Sequence, residues 1–256
     1  MTTLLLALTL LASPAQIENA LGSTSSGWIG YSVPLVDTRA RICCWDCSAG
    51  GCALESSNGF SVNRGDSASP AAAPRKLLVF ARLRDRTVES IRVFSSDCTV
   101  DTAGANVRWL GDLATEESVA FLTRVAERSA ADHASKHAMG ALAFHAGDGA
   151  LRELIRIAKS DDESKKRAHA LFWLAQAAGR KAVGTLSDAV ENDPDTDVKT
   201  KAVFAISLLP RDESVPLLIK IARTHRNAAV RKKAFFWLGQ TNDPRAVAFI
   251  EDTLLR

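Results

Sequence analysis

From residue 111 onward, apolar side chains recur every 32 residues without an insertion, and this step governs what that part of the chain can fold into. Ala138, Ala170, Ala202 and Ala234 form one ladder, and four residues after each rung stand Leu142, Leu174, Ile206 and Leu238. A second ladder runs Val119, Leu151, Val183, Val215 and Val247. Three residues later come Leu122, Leu154, Leu186, Leu218 and Ile250, and six residues later Val125, Ile157, Ala189, Ile221 and Thr253. Of these fifteen positions only Thr253 is polar, in a chain that is 46% hydrophobic. Chance placement would leave roughly seven of them apolar.

Offsets of three and four residues predict helices, two per unit. The first, as in Ala170-Leu171-Phe172-Trp173-Leu174 and Ala234-Phe235-Phe236-Trp237-Leu238, is apolar on nearly every side, so neighbours are expected to cover it all round. On that reading Phe172, Trp173, Phe236 and Trp237 belong to the core. The second helix is amphipathic, with Pro216 and Pro244 expected in its first turn, where a missing N–H costs least. The segments Glu191 to Asp197 and Gln240 to Pro244 supply turns and N-caps. The predicted fold is mostly α: an α-solenoid of helical hairpins over residues 111–256, each buried only by its neighbours.

Residues 16–110 read differently, as a small β-rich module holding all five cysteines. Strands are predicted over Gly27 to Val33, Arg39 to Cys44, Leu77 to Arg84 and Thr87 to Phe94, the last two joined tightly at Asp85-Arg86. Residues 55–75, rich in serine, alanine and proline, predict a mobile loop, within which Arg64-Gly65-Asp66 reads as a solvated turn. Val107 to Leu110 resembles a strand where the ladder would place a helix. The module is therefore expected to replace a missing first helix and to cap the N-terminal end of the stack. At the other end no polar capping repeat is visible, which makes that end a candidate for self-association.

Residues 1–15 read as a signal peptide: Leu4 to Ala12 is a short apolar run, and Ser13-Pro14-Ala15 offers small residues for cleavage after Ala15. No lysine or arginine precedes Arg39. Export to the periplasm or outside the cell is the expectation, with no membrane span in the mature chain because the run is too short. The formal charge of +3 is too slight to indicate nucleic acid.

The units lack the tryptophan, glycine and tyrosine of tetratricopeptide repeats and the Thr-Pro-Leu-His of ankyrin repeats. They resemble HEAT repeats, in the short bacterial form related to phycobilisome lyase repeats. The residues carrying this resemblance are Asp197-Val198-Lys199, Ala229-Val230-Arg231, Ala234, Leu238-Gly239, Asp243-Pro244, Ala246-Val247 and Ile250, with Arg167, Lys199 and Arg231 keeping the family's basic position. The resemblance covers about residues 112–256 and implies fold without chemistry. The iron-dependent hydroxylases among short HEAT proteins carry adjacent His-Glu pairs, and this chain has none.

Two clusters are candidates for chemistry. Cys43, Cys44, Cys47 and Cys52, with Cys98 distant, are disulfide candidates in an exported protein, and a bridge joining this segment to Cys98 is one expected pairing. Cys44-Trp-Asp-Cys47 has redox spacing but lacks a βαβ setting, and no second Cys-x-x-Cys completes a zinc site. His133, His137 and His169 are the metal-binding candidates, since His137 and His169 are one period apart and His133 one turn earlier. Lys201 and Lys233 continue the same position, which reads as a polar stripe. The expectation is an exported repeat scaffold for a protein partner, with no cofactor or catalytic residue assigned. Its candidate contacts are His137, His169, Lys201 and Lys233. The alternative is a lyase-like HEAT enzyme, or a metal- or thiol-dependent activity where the β module meets the helices.

Overall fold

Stretches with a period of two build a mixed sheet on the N-terminal side. The structure, a computed structural model, describes residues 16–37, 41–44, 51–55, 60–63, 75–129 and 132–255. The proposed signal peptide, Cys47 and the Arg64-Gly65-Asp66 turn lie outside them. A short helix α1 (Gln16–Ser23) precedes β1 (Gly27–Pro34), β2 (Arg41–Cys44), β3 (Cys52–Ala53), β4 (Phe60–Asn63), β5 (Lys76–Arg84), β6 (Thr87–Ser95), β7 (Val100–Asp101) and β8 (Val107–Asp112). Four strands form one sheet in the order β6-β5-β1-β8, with β8 parallel to β1 and the other pairs antiparallel. Antiparallel β2–β4 and parallel β3–β7 make two small ladders beside it. Asp85 and Arg86 link β5 to β6 with φ of 50° and 60°, as a two-residue hairpin turn requires. The stretch 55–75, expected to be loop, thus contains a strand: Phe60-Ser-Val-Asn alternates, and pairing with β2 gives that short alternation a partner.

Both faces of the sheet carry buried side chains, although edge strand β8 leaves Trp109 49% exposed. Ile29, Tyr31, Val33, Val79, Ile91 and Val93 point into the helices, whereas Trp28, Phe80 and Phe94 point the other way, onto Cys43, Cys52 and Cys98.

Helices follow in the predicted alternation: α2 (Thr115–Arg128), α3 (Asp132–Ala143), α4 (Asp148–Ser160), α5 (Ser164–Ala178), a single 3-10 turn at Gly179–Ala182, α6 (Val183–Asn192), α7 (Thr196–Ser207), α8 (Arg211–Thr224), α9 (Ala228–Gly239) and α10 (Pro244–Leu254). They lie in two layers. In one, α3, α5, α7 and α9 each pack on the next; in the other, α2 packs on α4, α4 on α6 and α8 on α10. Ala138, Ala170, Ala202 and Ala234 are fully buried, as are Leu122, Leu154, Leu186 and Leu218. The sheet joins the same core, β6 packing on α3 and β1 on α2, so apolar contact is continuous from Ile17 to Phe249. Among the described residues, no helix is long and apolar enough to cross a membrane.

Three details correct the sequence reading. Pro216 sits inside α8, because that helix already begins at Arg211. Pro244 does open α10, behind Asp243, whose carboxylate accepts the Arg245 N–H at 3.0 Å. Val247 is 46% exposed, since no described helix follows α10 to cover this rung. The first-layer helices, expected to be covered all round, have an open outer face: Phe236 is 51% exposed, and Phe172, Trp173 and Trp237 are half-buried. Two layers leave one side of each without a partner, and the rings cover one another instead.

The basic position of the repeat has a structural task. Helix ends leave carbonyls without partners, and Arg167 Nη1 donates to the Asp161 and Asp162 carbonyls at 2.8 and 3.2 Å, while its other nitrogens fork the Asp193 carboxylate at 2.8 and 3.0 Å. Lys199 donates to the carbonyls of Val190 and Glu191, and Arg231 to those of His225 and Arg226 at 2.8 and 3.0 Å. One period earlier, Ser135 does the same to Ala126. Each side chain ties the start of one helix to the end of the helix before it.

Gly140 occupies the register of Phe172, Phe204 and Phe236, and the Trp173 indole lies where its Cβ would be, 2.7 Å away. Alanine normally gains about 1 kcal/mol over glycine inside a helix. Here Gly140→Ala is expected to lose about 1–3 kcal/mol in thermal or denaturant unfolding, and to lose little when measured within a Trp173→Ala background. A stabilised Gly140→Ala would mean that the indole moves freely.

Candidate functional site

The open face of the first layer gathers most of the side chains that the sequence marks as contacts. Phe172, Phe204 and Phe236 recur at the repeat step, and rings of successive helices meet along this face. Phe172 stacks on Phe204 with centroids 6.1 Å apart and planes at 15°, and Phe204 meets Trp237 at 4.9 Å. Trp173 extends the row towards Phe144 at 5.8 Å. Between α5 and α7 the row opens into a groove of about 480 Å³, lined by Lys165, His169, Phe172, Asp197, Val198, Lys201 and Phe204. One repeat on, the Lys233 ammonium lies over Phe236 and Trp237, 5.2 and 5.5 Å from their centroids.

His169, Lys201 and Lys233 therefore share this face, but His137 does not present a free ring. It lies half-buried beneath β6, its Nδ1 donating to the Ile91 carbonyl at 3.0 Å and its ring 4.0 Å from that of His133. Burial and the neighbouring His133 lower its pKa to about 4. Burial and Lys136 also lower that of His169. Both imidazoles are neutral at pH 7, so the positive charge of the face comes from its lysines. His133 and His137 come together, but among the described residues no three His, Cys, Asp or Glu side chains converge as metal ligands. His169 is not brought into such a group.

Behind the sheet, Cys43 and Cys98 form a disulfide with Cα atoms 5.8 Å apart, joining β2 to the turn after β6. Cys52 is disulfide-bonded as well. All three sulfurs are buried against Trp28, Leu54, Phe80 and Phe94, where a substrate thiol has no approach. Asp97 fastens the same edge. Partial burial opposes its ionisation, yet the Ser95 hydroxyl at 2.6 Å and Arg75 at 2.8 Å hold its carboxyl below the usual carboxylate range.

The sequence gives no warning of a serine–histidine contact buried at the junction of sheet and helices. Tyr31 of β1, Ser118 of α2 and His145 of the α3–α4 turn form a chain, with Tyr31 Oη to Ser118 Oγ and Ser118 Oγ to His145 Nε2 each 2.8 Å. His145 Nδ1 reaches the Ala141 carbonyl at 2.8 Å. A carbonyl only accepts, so Nδ1 carries the proton, Nε2 accepts from Ser118, and Ser118 accepts from Tyr31. Burial pushes the Tyr31 phenol up and the His145 imidazole down to about 4. With Tyr31 and Ser118 fully buried and His145 2% exposed, the serine meets no solvent and both its hydrogen-bonding roles are filled. This is a joint rather than a nucleophile. Beside it, Val36 N–H donates to the Phe144 carbonyl at 2.9 Å and Ala146 N–H to the Pro34 carbonyl at 3.1 Å. No periodicity links residues 31, 118 and 145, and only the fold brings them together.

Residues 151–224 and 183–256 each match the family model described as HEAT repeats, the first match beginning within α4. Among solved structures, the chain is similar to human deoxyhypusine hydroxylase in complex with glycerol, at 20% identity and a TM-score of 0.39 over 47% of this chain and 42% of that one. The match thus spans less than half of that protein's length. No curated protein matches the sequence.

The buried joint sets a pH dependence. The unfolded chain protonates His145 near the ordinary value of 6.5, the folded chain only near 4, so between these values the unfolded state binds more protons and stability rises with pH. The contribution is complete above about pH 6.5 and disappears as pH falls towards 4, with a span of about 3 kcal/mol. Urea unfolding at several pH values is expected to show His145→Gln losing less stability on acidification than the parent by that amount. Equal losses in the two proteins would contradict a buried neutral imidazole.

Proposed function

We propose that the chain is an exported repeat scaffold whose helices form an open α-solenoid, capped at its N-terminal end by the sheet, and that it holds a protein partner on the outer face of α5, α7 and α9. The observation that carries this reading is the row of half-exposed rings with lysines at the repeat step. Exposed rings are costly to leave in water, and aromatic rings are enriched at partner surfaces. HEAT repeats fit such a role because residues between the apolar rungs are free to vary while the core stays fixed. The cap follows from β6 lying against α3, where a further first-layer helix would otherwise pack. Export follows from residues 1–15 and agrees with a disulfide at Cys43 and Cys98.

An enzymatic reading would need convergent groups open to a substrate. Its best candidate, Ser118 with His145, is closed, and no observation favours it over the scaffold.

The test uses protein recovered from the periplasmic or secreted fraction of its native cell, where the mature chain is expected to begin at Gln16. Used as bait on envelope extract, it should retain a discrete partner that Lys201→Glu with Lys233→Glu loses at least tenfold. Retention unchanged by the double variant, or a chain that stays in the cytoplasm with residues 1–15 attached, overturns the reading.

A further inference from the structure

Resting on the scaffold reading, we infer that the outer face of α5, α7 and α9 takes an extended acidic segment, wound as a polyproline II helix, with a carboxylate at every third residue and apolar side chains between. Charge selects the sign. Lys165 and Lys201 line the groove and Lys233 stands one repeat further, against the single carboxylate Asp197. Among the described residues no ion pair engages Lys165, Lys201 or Lys233, in contrast to Lys136, which is held by Asp132 at 2.7 Å. Asp132, at the edge of the groove near Lys165, is already paired with Lys136, so the three lysines outweigh the carboxylates about them and attract a negative partner.

Geometry selects the spacing. Lys201 and Lys233 occupy the same position on successive helices, and packed helices lie about 8–10 Å apart. A polyproline II chain has three residues per turn and a rise of about 3.1 Å, so every third side chain returns to the same side after about 9 Å. A β-strand turns its third residue to the opposite face, and an α-helix advances only about 4.5 Å in three residues. At a spacing of three residues, the polyproline form keeps step with the repeats and the other two do not. Between the lysines the peptide would meet Phe172, Phe204 and Phe236, and aromatic-lined grooves accept the stiff, ridged surface of such chains at little cost in entropy. The groove between α5 and α7, about 480 Å³, has room for one apolar side chain between two carboxylates.

The test is a fluorescence anisotropy titration of the full mature protein with three labelled fifteen-residue peptides: a Glu-Pro-Leu repeat, a Gln-Pro-Leu repeat, and a peptide of the first composition with its glutamates in one block. The Glu-Pro-Leu repeat is expected to bind at least tenfold more tightly than either control. Its binding should weaken at least tenfold in Lys201→Gln with Lys233→Gln, and should also fall between 50 and 500 mM sodium chloride. Thermal unfolding of that variant at the parent's midpoint shows that the loss belongs to the surface. Equal binding of the block peptide removes the third-residue register. Equal binding of the glutamine peptide, no binding of any peptide at millimolar concentration, or preference for phosphatidylglycerol vesicles over all three overturns the proposal. Partner retention is scored separately with its own variant, so peptide failure alone removes the acidic segment, whereas loss of both removes the scaffold as well.

Discussion

Each unit of this protein is too small to bury its own apolar rungs, so everything depends on keeping successive units in register. The rungs supply the driving force but slide easily along one another, because hydrophobic contact has no direction. Direction comes from the polar side chain one period apart on the first-layer helices. Ser135, Arg167, Lys199 and Arg231 all bond carbonyls at the end of the preceding helix. Those carbonyls would otherwise be orphaned next to the core, and a slip of one turn would leave both donor and acceptors unpaired. Arg167 has a further hold through its fork to Asp193, which also accepts the Asp195 N–H at 2.9 Å. One carboxylate thereby joins two consecutive units.

The sheet extends the same logic to the N-terminal side. Its helix-facing side chains continue the apolar core, and the Tyr31–Ser118–His145 chain adds directional bonds where β1, α2 and the α3–α4 turn meet. Its outer face is dried by the half-cystines and the aromatic residues around them. Through β6, the sheet packs against α3. The first-layer helices have no such cover on their outer side, and the aromatic row there is the consequence.

What the sequence disclosed follows from the range of its signals. Helices announced themselves because Ala138 to Ala234 and Leu122 to Ile250 repeat, and β5 and β6 because they alternate around a turn of two residues. The basic position was visible at Arg167, Lys199 and Arg231, but its task was not, since carbonyl partners leave no trace in residue identity. Ser135 shares the task with a different side chain and broke the pattern. The all-apolar segment around Phe172 and Phe236 predicts burial on every side, because composition does not tell how many layers surround a helix. Tyr31, Ser118 and His145 are isolated polar residues in sequence, and only the packing of β1 on α2 makes them a unit. Of the stripe, His169, Lys201 and Lys233 reached the open face, whereas β6 took His137.

The account stands most directly on hydrogen exchange of a chain ending after Thr224, which lacks α9 and α10. If units are dried by their neighbours alone, protection should fall in α7 and α8, next to the removed pair, and persist in α2 to α5 and in β1 and β5. Loss of protection throughout, including the sheet, would show a closed globule in which every part supports every other, and would contradict the proposed linear stack.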